Sequence, residues 1–264
     1  MTDSSKIDYS SLDLPEILTG LFHPRPAYEW EAGPANVIVV SVPVEENIQV
    51  GGRFYMTGAS APNILFFHGN GEIADDYDEL GVLYNRLGMN FMVVDYRGYG
   101  RSTGRPTVTA MMRDCSAIFR FTKEWLGEKG HRGAFIVMGR SLGSASALEL
   151  ISRHRDDTDA LVLESSFANT GTLLEFLGVD TSVIGFGEDR GFRNIEKIRE
   201  WNKKTLIIHA EFDQFFPFSE GQELYDACPS PDKRLLKIPG AGHNDLFARG
   251  FDAYIEAMKI LTEA

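Results

Sequence analysis

Ala134-Phe135-Ile136-Val137-Met138-Gly139-Arg140-Ser141-Leu142-Gly143-Ser144-Ala145 is the stretch on which the fold turns. Five residues of strand character run directly into the pattern G-x-S-x-G, and small residues then open a helical pattern continued by Leu148, Leu150 and Ile151. A strand that enters a sharp turn and leaves as a helix holds a serine hydroxyl clear of the sheet. The next backbone N–H faces the same space. Small neighbours are needed because the turn is strained and the helix passes close to the strand. Ser141 is therefore the candidate nucleophile, and the N–H of Leu142 the first candidate oxyanion donor.

The pattern alone is weak, since it occurs again as Gly100-Arg101-Ser102-Thr103-Gly104 in a chain with 26 glycines. Ser102 lies several residues past the apolar run Phe91 to Val94, and Gly104-Arg105-Pro106 follows it instead of a helix. Its expected role is structural, within the glycine-rich turn that starts at Arg97.

Outward from the elbow, short apolar runs alternate with long amphipathic stretches, the rhythm of βαβ units around a buried parallel sheet. The runs are Ile64 to Phe67, Phe91 to Val94, Phe135 to Met138, Ala160 to Leu163, Leu206 to Ile208 and Leu235 to Ile238. Between the second and third, Thr107 to Gly130 carries Met111, Cys115, Ile118, Phe119 and Leu126 at helical spacing. Upstream, Val37 to Val40 and Val50 to Met56 flank Glu45-Glu46-Asn47 and predict an antiparallel pair at one sheet edge. Ser219 with Gln222 predicts a capping box for the helix after Leu206 to Ile208. A last helix should follow His243, with Phe247, Phe251, Tyr254, Ile255 and Met258 on one stripe. No repeat or low-complexity linker divides the 264 residues, so they read as one domain, 1–264. Residues 1–33 form an N-terminal arm lying over it. Residues 167–193 form a small cap whose apolar side carries Phe167, Leu173, Leu174, Phe176, Leu177, Val183, Ile184 and Phe186. Packing onto the domain is the plainer reading of that segment, and an acyl-binding wall over Ser141 the sharper one.

A serine hydroxyl attacks only when a positioned imidazole takes its proton. Of six histidines, His243 sits in Pro239-Gly240-Ala241-Gly242-His243-Asn244-Asp245, a turn able to carry the ring over the strand ends. His68 and His209 read as packed or turn-stabilising residues; His23, His131 and His154 read as solvent-facing. The base needs a carboxylate to hold its tautomer. Asp213 lies just beyond the run Leu206 to Ile208, and the order Ser141, Asp213, His243 is the one expected for this arrangement. Glu164, at the end of the preceding run, is the rival. Asp245 is expected to cap the last helix. The second oxyanion donor should come from His68-Gly69-Asn70-Gly71-Glu72, and it is assigned to Asn70.

A net charge of −12 repels phosphate backbones and anionic lipid, so nucleic acid and polybasic membrane docking are not expected. No run approaches the ~18 apolar residues that cross a bilayer. The polar start of the chain lacks signal-peptide features, and two cysteines build no disulfide framework. A cytoplasmic location is expected. No zinc-type spacing of histidines or cysteines appears, and no metal is expected. Asp75, Asp76, Asp78 and Glu79 read as a solvated helix face.

Together His68-Gly69-Asn70-Gly71, Asp95-Tyr96-Arg97-Gly98-Tyr99-Gly100, Gly139-Arg140-Ser141-Leu142-Gly143 and Gly242-His243-Asn244-Asp245 resemble the α/β-hydrolase superfamily. The likeness covers roughly Ile64 onward, in the branch with a His-Gly-Asn oxyanion loop and a Gly-His-Asn-Asp base turn. It implies an α/β-hydrolase fold: a mostly parallel sheet with antiparallel N-terminal strands, helices on both faces and a small cap. It also implies a serine hydrolase that needs no cofactor and acts on a small-molecule acyl substrate, esterase- or thioesterase-like. Peptidases, amidases and carbon–carbon bond hydrolases use the same triad and stay open as alternatives. A non-catalytic binding member would be expected to lack a triad residue, and dehalogenases or epoxide hydrolases would carry aspartate in place of Ser141. Depalmitoylases of the branch bear an N-terminal cysteine cluster for membrane attachment, whereas no cysteine precedes Cys115 here.

Overall fold

Val37–Glu45 (β1) and Ile48–Tyr55 (β2) form an antiparallel hairpin across Glu46 and Asn47, with Asn47 supplying the positive φ of 62° that the turn requires. They are described by a computed structural model covering residues 7–27, 33–34, 37–183 and 185–263; Ile184 and part of the arm lie outside the described residues. The six apolar runs become β3 (Asn63–Phe67), β4 (Asn90–Val94), β5 (Phe135–Arg140), β6 (Ala160–Glu164), β7 (Lys204–Ala210) and β8 (Lys233–Ile238). The eight strands are ordered β1-β2-β4-β3-β5-β6-β7-β8, with β3 to β8 parallel and β2 antiparallel to β4.

Strand alternation splits the core into two layers. Leu65, Phe67 and Val137 face one cluster, whereas Ile64, Phe66, Ile136 and Met138 face the other. The first is covered by Val108–Glu128 and Gly143–Arg153, the second by Asp78–Arg86 and Phe251–Thr262. In chain order the helices are α1 (Pro15–Leu21), α2 (Asp78–Arg86), α3 (Val108–Glu128), α4 (Gly143–Arg153), α5 (Thr170–Phe176), α6 (Asn194–Arg199), α7 (Phe218–Ala227), α8 (Leu246–Arg249) and α9 (Phe251–Thr262). Burial on both faces explains why β3 to β6 read as unbroken apolar runs.

Several local expectations are corrected. The described part of the arm does more than lie over the domain. It contains α1, started by Pro15 at its first position, and buries Ile17 and Leu21 against the first core layer. The capping box does not form: α7 begins at Phe218, where Pro217 ends the loop, so Ser219 already lies inside the helix and Gln222 donates to Asp226 instead. The final stripe is broken at Gly250 into α8 and α9, which leaves Phe251 exposed. His131 and His154 are half-buried, stacked on Trp125 and Phe119.

The acidic group 75–79 is not simply a solvated face. Arg53 on β2 is 2% exposed and donates from Nε to Asp75 at 2.6 Å and from Nη1 to Asp78 at 2.9 Å. Tyr55 also donates to Asp78. Helix periodicity could not reveal this, because the cation that draws the carboxylates inward comes from a strand more than twenty residues earlier.

Candidate active site

β5 delivers Ser141 at φ +51°, a left-handed conformation that is strained for a non-glycine residue. Hydrogen bonds hold it there: Ser141 N–H donates to Glu164 O at 2.9 Å, while Ser144 donates from N–H (3.0 Å) and Oγ (2.6 Å) to Ser141 O. The flanking glycines answer to crowding. A Cβ on Gly139 would lie 2.3 Å from Gly143 O, and one on Gly143 would lie 2.1 Å from Phe67 O, so α4 and β3 close in only because both side chains are absent.

The three predicted residues meet beyond the carboxyl ends of the strands. His243 Nε2 lies 3.0 Å from Ser141 Oγ, and Nδ1 lies 2.8 Å from Asp213 Oδ2. All three are buried, at 8%, 7% and 2% exposure for Ser141, Asp213 and His243. An ionised carboxylate can only accept, so Nδ1 carries the proton and Nε2 is left to accept from the hydroxyl. Burial by itself would raise the Asp213 pKa. The His243 contact and the N–H groups of Phe215 and Phe216, both 2.9 Å from Oδ1, outweigh it and hold the carboxyl below its ordinary value.

The rivals are engaged elsewhere. Glu164 accepts from Arg140 Nε at 3.0 Å and from the Tyr254 hydroxyl at 2.7 Å. Ser102 Oγ accepts the N–H of Gly51 on β2 at 2.9 Å, tying its turn to that strand. His209 packs with Nε2 2.9 Å from Phe216 O, its pKa lowered chiefly by burial, and His68 is buried with Nδ1 2.8 Å from Gly69 O. Asp245 does precede α8, yet its side chain accepts from Gly242 N–H (2.7 Å) and pairs with Arg249 rather than capping the helix. It shapes the base turn.

A cavity of about 390 Å³ opens over Ser141. Asn70 and Leu142 line it, as do Leu173, Phe176 and Leu177 from the 167–193 segment. That segment also buries Phe167 and Leu174 in the core, so one stretch both packs on the domain and walls the cavity. Sequence reasoning missed two contributions. Gly20, Leu21 and His23 of the arm form part of the wall, and the Asn70 side chain accepts from His23 N–H (2.9 Å) and the Tyr99 hydroxyl (2.7 Å). Phe215 and Phe216 pack against the His243 ring at centroid distances of 4.5 and 5.7 Å. Their place two and three residues after Asp213 was the available signal; the arm offered none.

An eight-stranded, largely parallel sheet with a serine at the strand–helix elbow is the α/β-hydrolase fold, and the similarities that follow support an α/β-hydrolase superfamily member. Residues 58–178 match the Hydrolase_4 family model, described as serine aminopeptidase, S33. Over 200 residues the chain is 34% identical to alpha/beta hydrolase domain-containing protein aho-3 of Caenorhabditis elegans, covering 74% of this chain and 56% of that protein. It is 32% identical over 200 residues to alpha/beta hydrolase domain-containing protein 17B of Homo sapiens, covering 74% and 64%. The match thus spans less than two thirds of either relative's length. Among solved structures, the fold is shared with the Pyrococcus furiosus esterase Pf2001 (TM-score 0.72, 18% identity, 91% of this chain and 97% of that one). It is also shared with Est1E from Butyrivibrio proteoclasticus (TM-score 0.67, 15% identity, 84% and 96%). Among the described residues, no helix is long and apolar enough to cross a membrane.

Proposed function

We propose that the chain is a serine hydrolase that cleaves an ester or thioester through Ser141, His243 and Asp213. The observation that carries the reading is the His243 ring bridging Ser141 Oγ at 3.0 Å and Asp213 at 2.8 Å. In the proposed cycle Ser141 Oγ attacks the acyl carbonyl while its proton passes to His243 Nε2. Asp213 stabilises the imidazolium, and the oxyanion is received by the N–H groups of Asn70 and Leu142. His243 then protonates the leaving group. Water, deprotonated by the same nitrogen, releases the acid from the acyl-enzyme.

The substrate class follows from the wall. Leu21, Leu173, Phe176, Leu177, Phe215 and Phe216 offer an apolar surface suited to an acyl chain. The family description favours amide cleavage as a second reading, and an aminopeptidase must hold an α-ammonium group. Among the described residues lining the cavity, the one carboxylate is Glu72. It already pairs with Arg140 and accepts from Gly69 N–H and the Tyr77 hydroxyl. This supports acyl esters over aminoacyl amides.

The test is fluorophosphonate labelling followed by a panel of acyl esters, acyl thioesters and aminoacyl amides. Ser141→Ala should abolish labelling and lower kcat by at least ~10⁴-fold, while Ser102→Ala should label like the unaltered chain. Turnover retained in Ser141→Ala would reassign the nucleophile. Faster cleavage of aminoacyl amides than of esters would favour the peptidase reading.

A further inference from the structure

Arg140, which stands at the first x of G-x-S-x-G, has a side chain only 12% exposed, and its three guanidinium nitrogens reach three different segments. Nε donates to Glu164 Oε1 at 3.0 Å, at the end of β6. Nη1 pairs with Glu72, whose other oxygen accepts the Gly69 N–H at 2.6 Å and the Tyr77 hydroxyl at 2.5 Å. Nη2 donates to His243 O and to Asn244 Oδ1, both at 3.1 Å. One planar group thus ties the loop 68–72 to the turn that bears His243. The approach is close enough that a Cβ on Gly69 would lie 2.8 Å from Nη1 and 2.9 Å from Glu72. With four of its five N–H donors on protein acceptors, the group is poorly placed to bind an anionic leaving group.

We propose that Arg140 is a positioning residue: resting on the serine-hydrolase reading above, it locks the base turn and the oxyanion loop in register with each other and with Ser141. The two loops leave the carboxyl ends of β3 and β8, and Arg140 stands at the end of β5, within reach of both. An error of about 1 Å between them would cost roughly 10²-fold in rate, because proton transfer and oxyanion binding need fixed distances at one reacting carbon. A guanidinium fork is suited to the task because its donors are coplanar and rigid, whereas an ammonium is a point charge on a flexible stem.

Arg140→Lys separates positioning from charge compensation. It keeps a cation between Glu72 and Glu164 but cannot reproduce donors to Glu164, Glu72, His243 O and Asn244 together. With thermal unfolding close to that of the unaltered chain, we expect kcat and the second-order rate of fluorophosphonate labelling each to fall by about 10²-fold. KM should stay within about threefold, since the apolar wall is untouched. Labelling and kcat at the unaltered rate would overturn the proposal and leave the triad reading intact. Absence of labelling in the unaltered chain would instead sink the serine-hydrolase reading, and this inference with it. Should Arg140→Lys fail to fold, Asn244→Ala and Glu72→Gln each weaken one arm of the link. Each is expected to slow labelling about tenfold, and unchanged labelling in both would overturn the proposal.

Discussion

Asp213 carries the largest electrostatic load of the three residues, being buried, ionised and paired with an imidazole. Replacing it by asparagine keeps the shape and removes the charge that fixes the Nδ1–H tautomer. We expect Asp213→Asn to lower kcat by about 10⁴-fold, whereas Glu164→Gln, whose side chain faces Arg140 and Tyr254, should lose far less. Steady-state kinetics on one ester would check both. The same group makes a stability prediction. Its folded pKa lies below the ordinary carboxylate value, so the folded state binds the proton more weakly than the unfolded chain. The Asp213 contribution is therefore complete above the unfolded value and is lost as pH falls through the depressed folded one. Urea midpoints of the unaltered chain and Asp213→Asn should differ by a constant amount near neutrality, and the difference should begin to shrink as pH falls below about 4. A difference that holds at pH 3 would argue against the assignment.

At the scale of elements, β2 and the turn into α2 are joined by charge rather than apolar packing alone. Arg53 lies in the sheet with Asp75 and Asp78 closing over it, at side-chain exposures of 2%, 3% and 19%. Losing one member of a buried pair leaves the other desolvated without compensation. Arg53→Met should therefore destabilise the fold by about 3 kcal/mol, measured by urea denaturation, and adding Asp75→Asn should recover part of the loss. An effect below about 0.5 kcal/mol would place the pair in the class of surface ion pairs. The local patterns that succeeded here were those set by short-range chemistry. The strand runs, α3 with its buried Met111, Cys115, Ile118 and Phe119, and the hairpin turn at Asn47 were all legible. The failures share a cause. A cap box overridden by Pro217, a stripe cut at Gly250 and carboxylates drawn inward by Arg53 each depend on a neighbour outside the window being read.

Over the whole molecule, the cavity is assembled from parts far apart in the chain: the arm, the loop 68–72, the 167–193 segment and the two aromatic residues that follow Gln214. The arm is anchored by polar contacts as well as by α1. Tyr9 donates to Glu149 at 2.6 Å, and Lys197 donates to both Glu149 (2.8 Å) and the Tyr9 oxygen (3.0 Å), with all three residues buried. Leu173 belongs to the wall and is 4% exposed, so enlarging it consumes cavity volume without touching the triad. Leu173→Trp should cut kcat/KM for a medium-chain acyl ester by roughly tenfold or more, at one to two kcal/mol of lost binding. Acetyl ester turnover and fluorophosphonate labelling should be little altered. An equal loss on both esters would mean that the segment does not contact the acyl chain.

By itself the sequence determined the strand–turn–helix elbow and the parallel core, because each depends on residues adjacent in the chain and on periods of two or 3.6. Only the tertiary structure decided which carboxylate faces His243, how Arg140 spends its donors and what closes the cavity. Those outcomes are set by contacts between segments a hundred residues or more apart, as with Arg140 and His243, and contacts that long in sequence leave no trace in local patterning.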